Sequence, residues 1–190
     1  MSCIIEINQI IRALRISDTL TIAEILYHVY PNYYSNLHSA RVQVQKVLNA
    51  EVFSKRLVKE NGYYRVPECK SEYKEHSRLL TRALADVLIA NPTAIIHREI
   101  TIPEVALRPD AVILLIKGYQ GLCFILEAVN NEPPEYLNQK IGVWRSWENS
   151  LNFLSDLFKY LIPHFDIVIA GEHSASGVYN LSHYLREVMR

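Results

Sequence analysis

Two carboxylates, Asp110 and Glu127, stand at the edges of apolar runs in the stretch RPDAVILLIKGYQGLCFILEAV, residues 108–129. A carboxylate beside a buried strand loses hydration, so it needs a cationic partner, a metal ion or a proton. Asp110 falls near the start of one extended segment and Glu127 near the end of the next. If these segments form an antiparallel hairpin, the two acids share one edge. Paired acids there suit a divalent cation, Mg²⁺ or Mn²⁺, that activates water and neutralises a phosphoryl group. Arg108, just ahead of Asp110, could contact a phosphate or pair with Glu104 or Glu127.

The flanking pattern supplies the elements that must hold these acids. A polar linker at about 67–73 leads into a helix that runs to Ala90 and stops at Asn91–Pro92. Three extended segments follow, TAIIHREITI, RPDAVILLIK and GLCFILEAV, with Lys117–Gly118 and Gly121 forming the connection between the last two. EPPEYLNQKIGVWRSWENSLNFLSDLFKYLI reads as helical after its prolines, HFDIVIAGE as a fourth strand and YNLSHYLREVMR as a closing helix. That order predicts an α/β sandwich around a mixed sheet.

Pro109–Asp110, the apolar hairpin and Glu127 at the end of the next strand together resemble the PD-(D/E)XK nuclease superfamily, over about residues 75–170. The resemblance implies a restriction-endonuclease-like fold, with Asp110 and Glu127 holding Mg²⁺ or Mn²⁺ for phosphodiester hydrolysis. The superfamily usually places a Lys two residues after the second acid, and Val129 stands there. Either Lys140, on the following helix, takes the Lys role, or the domain keeps the fold without cleavage. Glu75 is a further acid upstream. Arg-Pro-Asp-Ala at 108–111, and Lys140 with Trp144 four residues later, are also similar to the replication-relaxation proteins of plasmids and mobile elements. In that family an N-terminal winged helix precedes the nuclease-like domain, which matches the order here.

The N-terminal third carries its own pattern. Ile4, Ile5, Ile7, Ile10, Ile11 and Leu14 recur at helical spacing. Asp18 and Thr19 or Thr21 offer caps for a second helix, TIAEILYHVYP. Ser35 or Asn36 can cap a third, with Leu37, Ala40, Val44, Val47 and Leu48 on its apolar face. Asn61–Gly62 between LVKE and YYRV then signals a hairpin. Three helices and a hairpin make a winged helix-turn-helix over residues 1–68, ahead of the nuclease-like domain at 73–190, so the fold class is α+β. Arg41, Gln43, Gln45 and Lys46 can meet bases or phosphates of double-stranded DNA, and Lys55, Arg56, Lys59 and Arg65 can meet phosphates. Winged helices also serve as dimer or partner modules, so a homodimer or a pure interaction module is the competing expectation.

Composition narrows the remaining classes. The formal charge is zero overall, but residues 1–70 carry nine Lys/Arg against six Asp/Glu, leaving the rest acidic by the same margin. That asymmetry fits a nucleic-acid-facing N-terminal half. Cys3, Cys69 and Cys123 share no metal spacing and form no disulfide framework, as expected of a cytoplasmic protein. No apolar run reaches membrane-spanning length, and the start lacks a basic region ahead of its apolar residues, so neither a membrane span nor a signal peptide is expected. No phosphate-binding glycine loop or dinucleotide fingerprint occurs, which argues against a nucleotide cofactor. GEHSASGVY lacks a nucleophile elbow. His97 reads as a packed or edge histidine of its strand, His164 and His173 have no zinc-type spacing, and Trp144 and Trp147 could stack on bases, although aromatics at helical spacing are more often core.

Overall fold

The computed structural model describes residues 3–16, 20–21, 25–26, 36–67, 75–98, 100–117, 120–130, 132–171 and 178–188. Most of the expected second helix, the Asp18 and Thr19 caps, the linker around residue 70 and His173 lie outside them. The chain forms two units, Met1–Pro92 and Thr93–Arg190.

In the first unit, helix α1 (Cys3–Ile16) buries Ile10, Ile11, Ala13 and Leu14. It packs along helix α3 (Glu75–Ala90), whose buried face carries Leu80, Leu84, Val87 and Leu88. Thr21 belongs to a short strand, β1 (Leu20–Thr21). Ile25 and Leu26 are helical and buried. Helix α2 (Leu37–Phe53) starts where expected: Asn36 Oδ1 accepts a hydrogen bond from the Ser39 amide at 2.8 Å. Ala40, Val44 and Leu48 are fully buried, but Leu37, the first residue of α2, is 58% exposed.

The hairpin forms between β2 (Val58–Glu60) and β3 (Tyr63–Arg65). Asn61 and Gly62 have φ of 48° and 85°, the positive values that a two-residue hairpin turn requires. Strand β1, which no residue pattern predicted, pairs with β3 to make a three-stranded sheet of order β1-β3-β2.

The second unit is built on a five-stranded mixed sheet of order β4-β5-β6-β7-β8. Its strands are β4 (Ile95–Arg98), β5 (Ala111–Lys117), β6 (Gln120–Ala128), β7 (Phe165–Ala170) and β8 (Tyr179–Asn180). β4/β5 and β5/β6 are antiparallel, whereas β6/β7 and β7/β8 are parallel. β4 covers Ile95–Arg98 and is shorter than the predicted segment, which a short 3₁₀ turn at Pro103–Val105 follows.

The β5–β6 connection is also tighter than predicted, since Lys117 pairs with Gln120 and Gly121 sits within the strand. A Cβ on Gly121 would stand 2.5 Å from Cε1 of Tyr160. The glycine therefore makes room for a ring instead of bending a turn.

The long helical stretch divides into α4 (Pro134–Ser146) and α5 (Ser150–Phe158), and helix α6 (Leu181–Val188) closes the chain. Val112 and Leu114 of β5, Cys123 and Ile125 of β6, and Ile167 and Ile169 of β7 share one face of the sheet. Leu137, Ile141 and Trp144 of α4, with Leu154 and Phe158 of α5, belong to the same core. On the alternate face Phe124 meets Tyr184 of α6 edge-on, with ring centroids 5.1 Å apart.

Candidate functional site

Residue alternation along β6 puts Glu127 on the face occupied by Cys123, Ile125 and Val129. It is the polar member of an otherwise apolar row, and it is only 3% exposed. The antiparallel register pairs Ala111 with Leu126, so Asp110, one residue ahead of β5, is level with Glu127. Asp110 Oδ2 accepts a hydrogen bond from the Ala128 amide at 2.8 Å, fixing the acid to the end of β6. From α4, Lys140 extends Nζ to Glu127 Oε2 at 2.5 Å. Lys140 reaches it because Leu137, Ile141 and Trp144 turn that side of α4 toward the sheet. Asp110, Glu127 and Lys140, chosen from sequence, thus converge.

Burial pushes the Glu127 carboxyl up to about 7; the Lys140 charge opposes this, and the charges of Asp110 and Glu132 add to it. Burial pulls the Lys140 ammonium down, but the charge and hydrogen bond of Glu127 outweigh it and leave the group above its ordinary value. Of the pair, the carboxyl is therefore the member that titrates near neutrality. Glu127 Oε1 is buried and has no hydrogen-bond partner among the described residues. A buried carboxylate oxygen without a partner is costly unless something fills the role.

Oxygen donors of this kind suit a hard cation, and Mg²⁺ commonly uses one or two carboxylates with water completing its shell. Asp110 and Glu127 fit that set. Among the described residues, no group of three or more His, Cys, Asp or Glu side chains is placed to hold a metal ion. Among the described residues, a cation here would depend on these two acids, with water and substrate oxygens completing its shell. Val129, at the position of the superfamily's usual Lys, is buried in the core, and its amide donates to Ala170 O at 2.8 Å. A lysine at 129 would enter that apolar core.

Other residues singled out in the sequence have packing or pairing roles. Trp144 is 1% exposed and stacks edge-on with Phe165, and Trp147 lies against Phe153. His97 meets Phe158 edge-on with ring centroids 5.2 Å apart. Glu75 pairs with Arg78 in the first turn of α3.

In the first unit, His38, Arg41, Val42, Gln45, Lys46 and Asn49 line a shallow groove along α2. Arg41, Gln43 and Lys46 are exposed. Gln45 Nε2 donates to Asn49 Oδ1 at 2.7 Å and to the hydroxyl of Tyr64 at 2.8 Å. Tyr64 is fully buried, so Gln45 ties α2 to the hairpin. Lys55, at φ 59°, is exposed after α2. Arg56 pairs with Glu51 at 2.6 Å and Arg65 with Glu60 at 3.2 Å. Lys59 lies 5.6 Å from the Tyr64 ring centroid. Among the described residues, the exposed cations of α2 thus have fewer acid partners than Arg56 and Arg65.

A second polar cluster gave no sequence signal. The Tyr184 hydroxyl donates to Asp166 Oδ2 at 2.8 Å, and His164 Nε2 lies 3.1 Å from Asp166 Oδ1. Burial and then the Asp166 charge push the Cys123 thiol up to about 12. His164 and Asp166, with Arg145, Ser150 and Tyr179, help line a groove of about 470 Å³. Only the fold brings residues 18 apart in sequence into this contact.

No protein-family model matches the chain, and no curated protein matches it. Among solved structures the chain is similar to the restriction endonuclease FokI, at 12% sequence identity and a TM-score of 0.31. The match covers 97% of this chain and 40% of FokI, so the chain spans less than half of that enzyme. Among the described residues, no helix is long and apolar enough to cross a membrane.

Proposed function

We propose that this chain binds double-stranded DNA and, with Mg²⁺ or Mn²⁺, hydrolyses its phosphodiester backbone. Residues 1–68 act as a winged helix that docks on DNA, and the sheet unit, residues 93–190, acts as a PD-(D/E)XK nuclease-like domain, with α3, expected in that domain, packed in the first unit instead. The proposed setting is cytoplasmic replication or relaxation of plasmids or mobile elements, without a nucleotide cofactor or membrane, and with a homodimer as the assembly to test. The observation that carries the reading is the convergence of Asp110, Glu127 and Lys140, with the buried Oε1 of Glu127 lacking a partner among the described residues.

Asp110 and Glu127 would hold the cation, and Lys140 would stabilise charge on the scissile phosphate. When bound, the cation polarises the phosphoryl oxygen and makes water a better nucleophile. The Ala128 amide keeps Asp110 oriented, and the apolar row around Glu127 limits water at its inner side. On the first unit, Arg41 and Lys46 offer cations to bases or phosphates.

Calorimetric titration of Mg²⁺ or Mn²⁺ into wild type and into Asp110→Ala with Glu127→Ala, beside a plasmid-nicking assay, tests this reading. Binding and nicking in wild type, both lost in a folded variant, are expected. Folded wild type that shows neither would sink the nuclease proposal. The second reading is a DNA-binding regulator that keeps the fold without cleavage. It is favoured by Val129, which leaves the usual lysine position inside the core. Salt-dependent DNA binding without nicking is its expected signature.

A further inference from the structure

We infer that Lys140 stands in for a cation at Glu127 and must be displaced before a divalent ion can bind there. This rests on the metal-site reading above and adds a regulatory role for the lysine: it sets the concentration at which the site fills.

The ammonium already neutralises Glu127 Oε2 at 2.5 Å, inside a site closed to water on its inner side. Asp110 has one oxygen engaged by the Ala128 amide. That leaves Oε1 of Glu127 as the buried oxygen with no partner among the described residues. A divalent ion accepted by Oε1 while Lys140 stayed on Oε2 would put two cations across one carboxylate. Their repulsion is poorly screened where water is excluded.

The ammonium also has a second neighbour. Nζ lies 5.6 Å from the centroid of the Tyr136 ring, one turn back along α4, and that tyrosine is exposed. A lysine released from Glu127 can settle over that ring face, at the surface where a phosphate would approach. The proposed exchange makes or breaks no covalent bond; the carboxylate trades one cation for another.

The test is calorimetric titration of Mn²⁺, without DNA, into wild type, Lys140→Met, Lys140→Gln, Lys140→Arg and Lys140→Met with Glu127→Gln. Near-UV circular dichroism checks folding. Lys140→Met and Lys140→Gln should bind about tenfold more tightly or better, since the competing charge is gone. Lys140→Arg should resemble wild type, and the double variant should lose the site. Wild type that binds as tightly as the neutral variants, or more tightly, overturns the displacement role and leaves the metal site standing. If every folded protein, including the neutral variants, fails to bind Mn²⁺, the metal site itself falls, and the displacement role with it.

Discussion

Glu127→Gln should change how stability depends on pH, and the size of the change follows from the site. The Glu127 carboxyl is raised from its ordinary 4.5 to about 7, chiefly by burial. A tenfold change in proton affinity corresponds to about 1.36 kcal/mol, so the ionised folded state is disfavoured by about 3 kcal/mol. Between these two values the folded protein binds more protons than the unfolded chain. Stability from this group is therefore fully present below about pH 4.5 and is lost as pH rises through about 7. Glutamine keeps the shape and does not titrate. The stability of wild type relative to Glu127→Gln should thus fall by about 3 kcal/mol from pH 4.5 to 8. Both tryptophans, Trp144 and Trp147, lie in the unit that holds Glu127, so tryptophan fluorescence in urea follows that unit. The titrations need a chelator, since a bound cation would restore the ionised form. A difference constant within about 0.5 kcal/mol over this range would mean that the carboxyl ionises normally and that the buried site described here is wrong.

Three further outcomes are expected. Gly121→Ala should destabilise the second unit by about 1–3 kcal/mol through overpacking against Tyr160, seen as a lower urea midpoint by tryptophan fluorescence. Gln45→Ala should cost about 1–3 kcal/mol by leaving the buried Tyr64 hydroxyl without that donor. Faster amide hydrogen exchange at Tyr63–Arg65 would report it, and unchanged exchange would count against the coupling of helix to hairpin. In fluorescence anisotropy with a labelled duplex, Arg41→Ala and Lys46→Ala should each lower the salt slope of binding by about 1. Arg65→Ala should lower it less, because Glu60 already engages that side chain.

Much of this architecture could be read from short-range signals. Asn61–Gly62 forced the hairpin, Asn36 marked the start of α2, and Asn91–Pro92 ended α3, each through local backbone chemistry. The alternation of β5 and β6 brought Asp110 level with Glu127 once the strands paired. What stayed hidden depends on distant partners. Strand β1 exists through pairing with Tyr63 and Tyr64, some forty residues later in the chain. Gly121 looked like a turn residue because a glycine required by a neighbouring ring is indistinguishable, locally, from one required by φ. Leu37 fitted the apolar period of α2, but helical spacing does not say where a packed surface ends. The Asp166–Tyr184 bond likewise has no periodic signature.

The antiparallel register that levels Asp110 with Glu127 also determines which changes in chain length this site could survive. Removing one residue within β6 would carry Glu127 to the opposite side of the sheet and bring an apolar neighbour to its place. Removing two would keep the side but move the acid along the strand, away from Asp110 and Lys140. Residues added beyond Lys117 and Gln120, the last pair of the hairpin, would leave the register intact. Length variation among related chains should therefore gather at that tip and avoid the strand between Gly121 and Glu127.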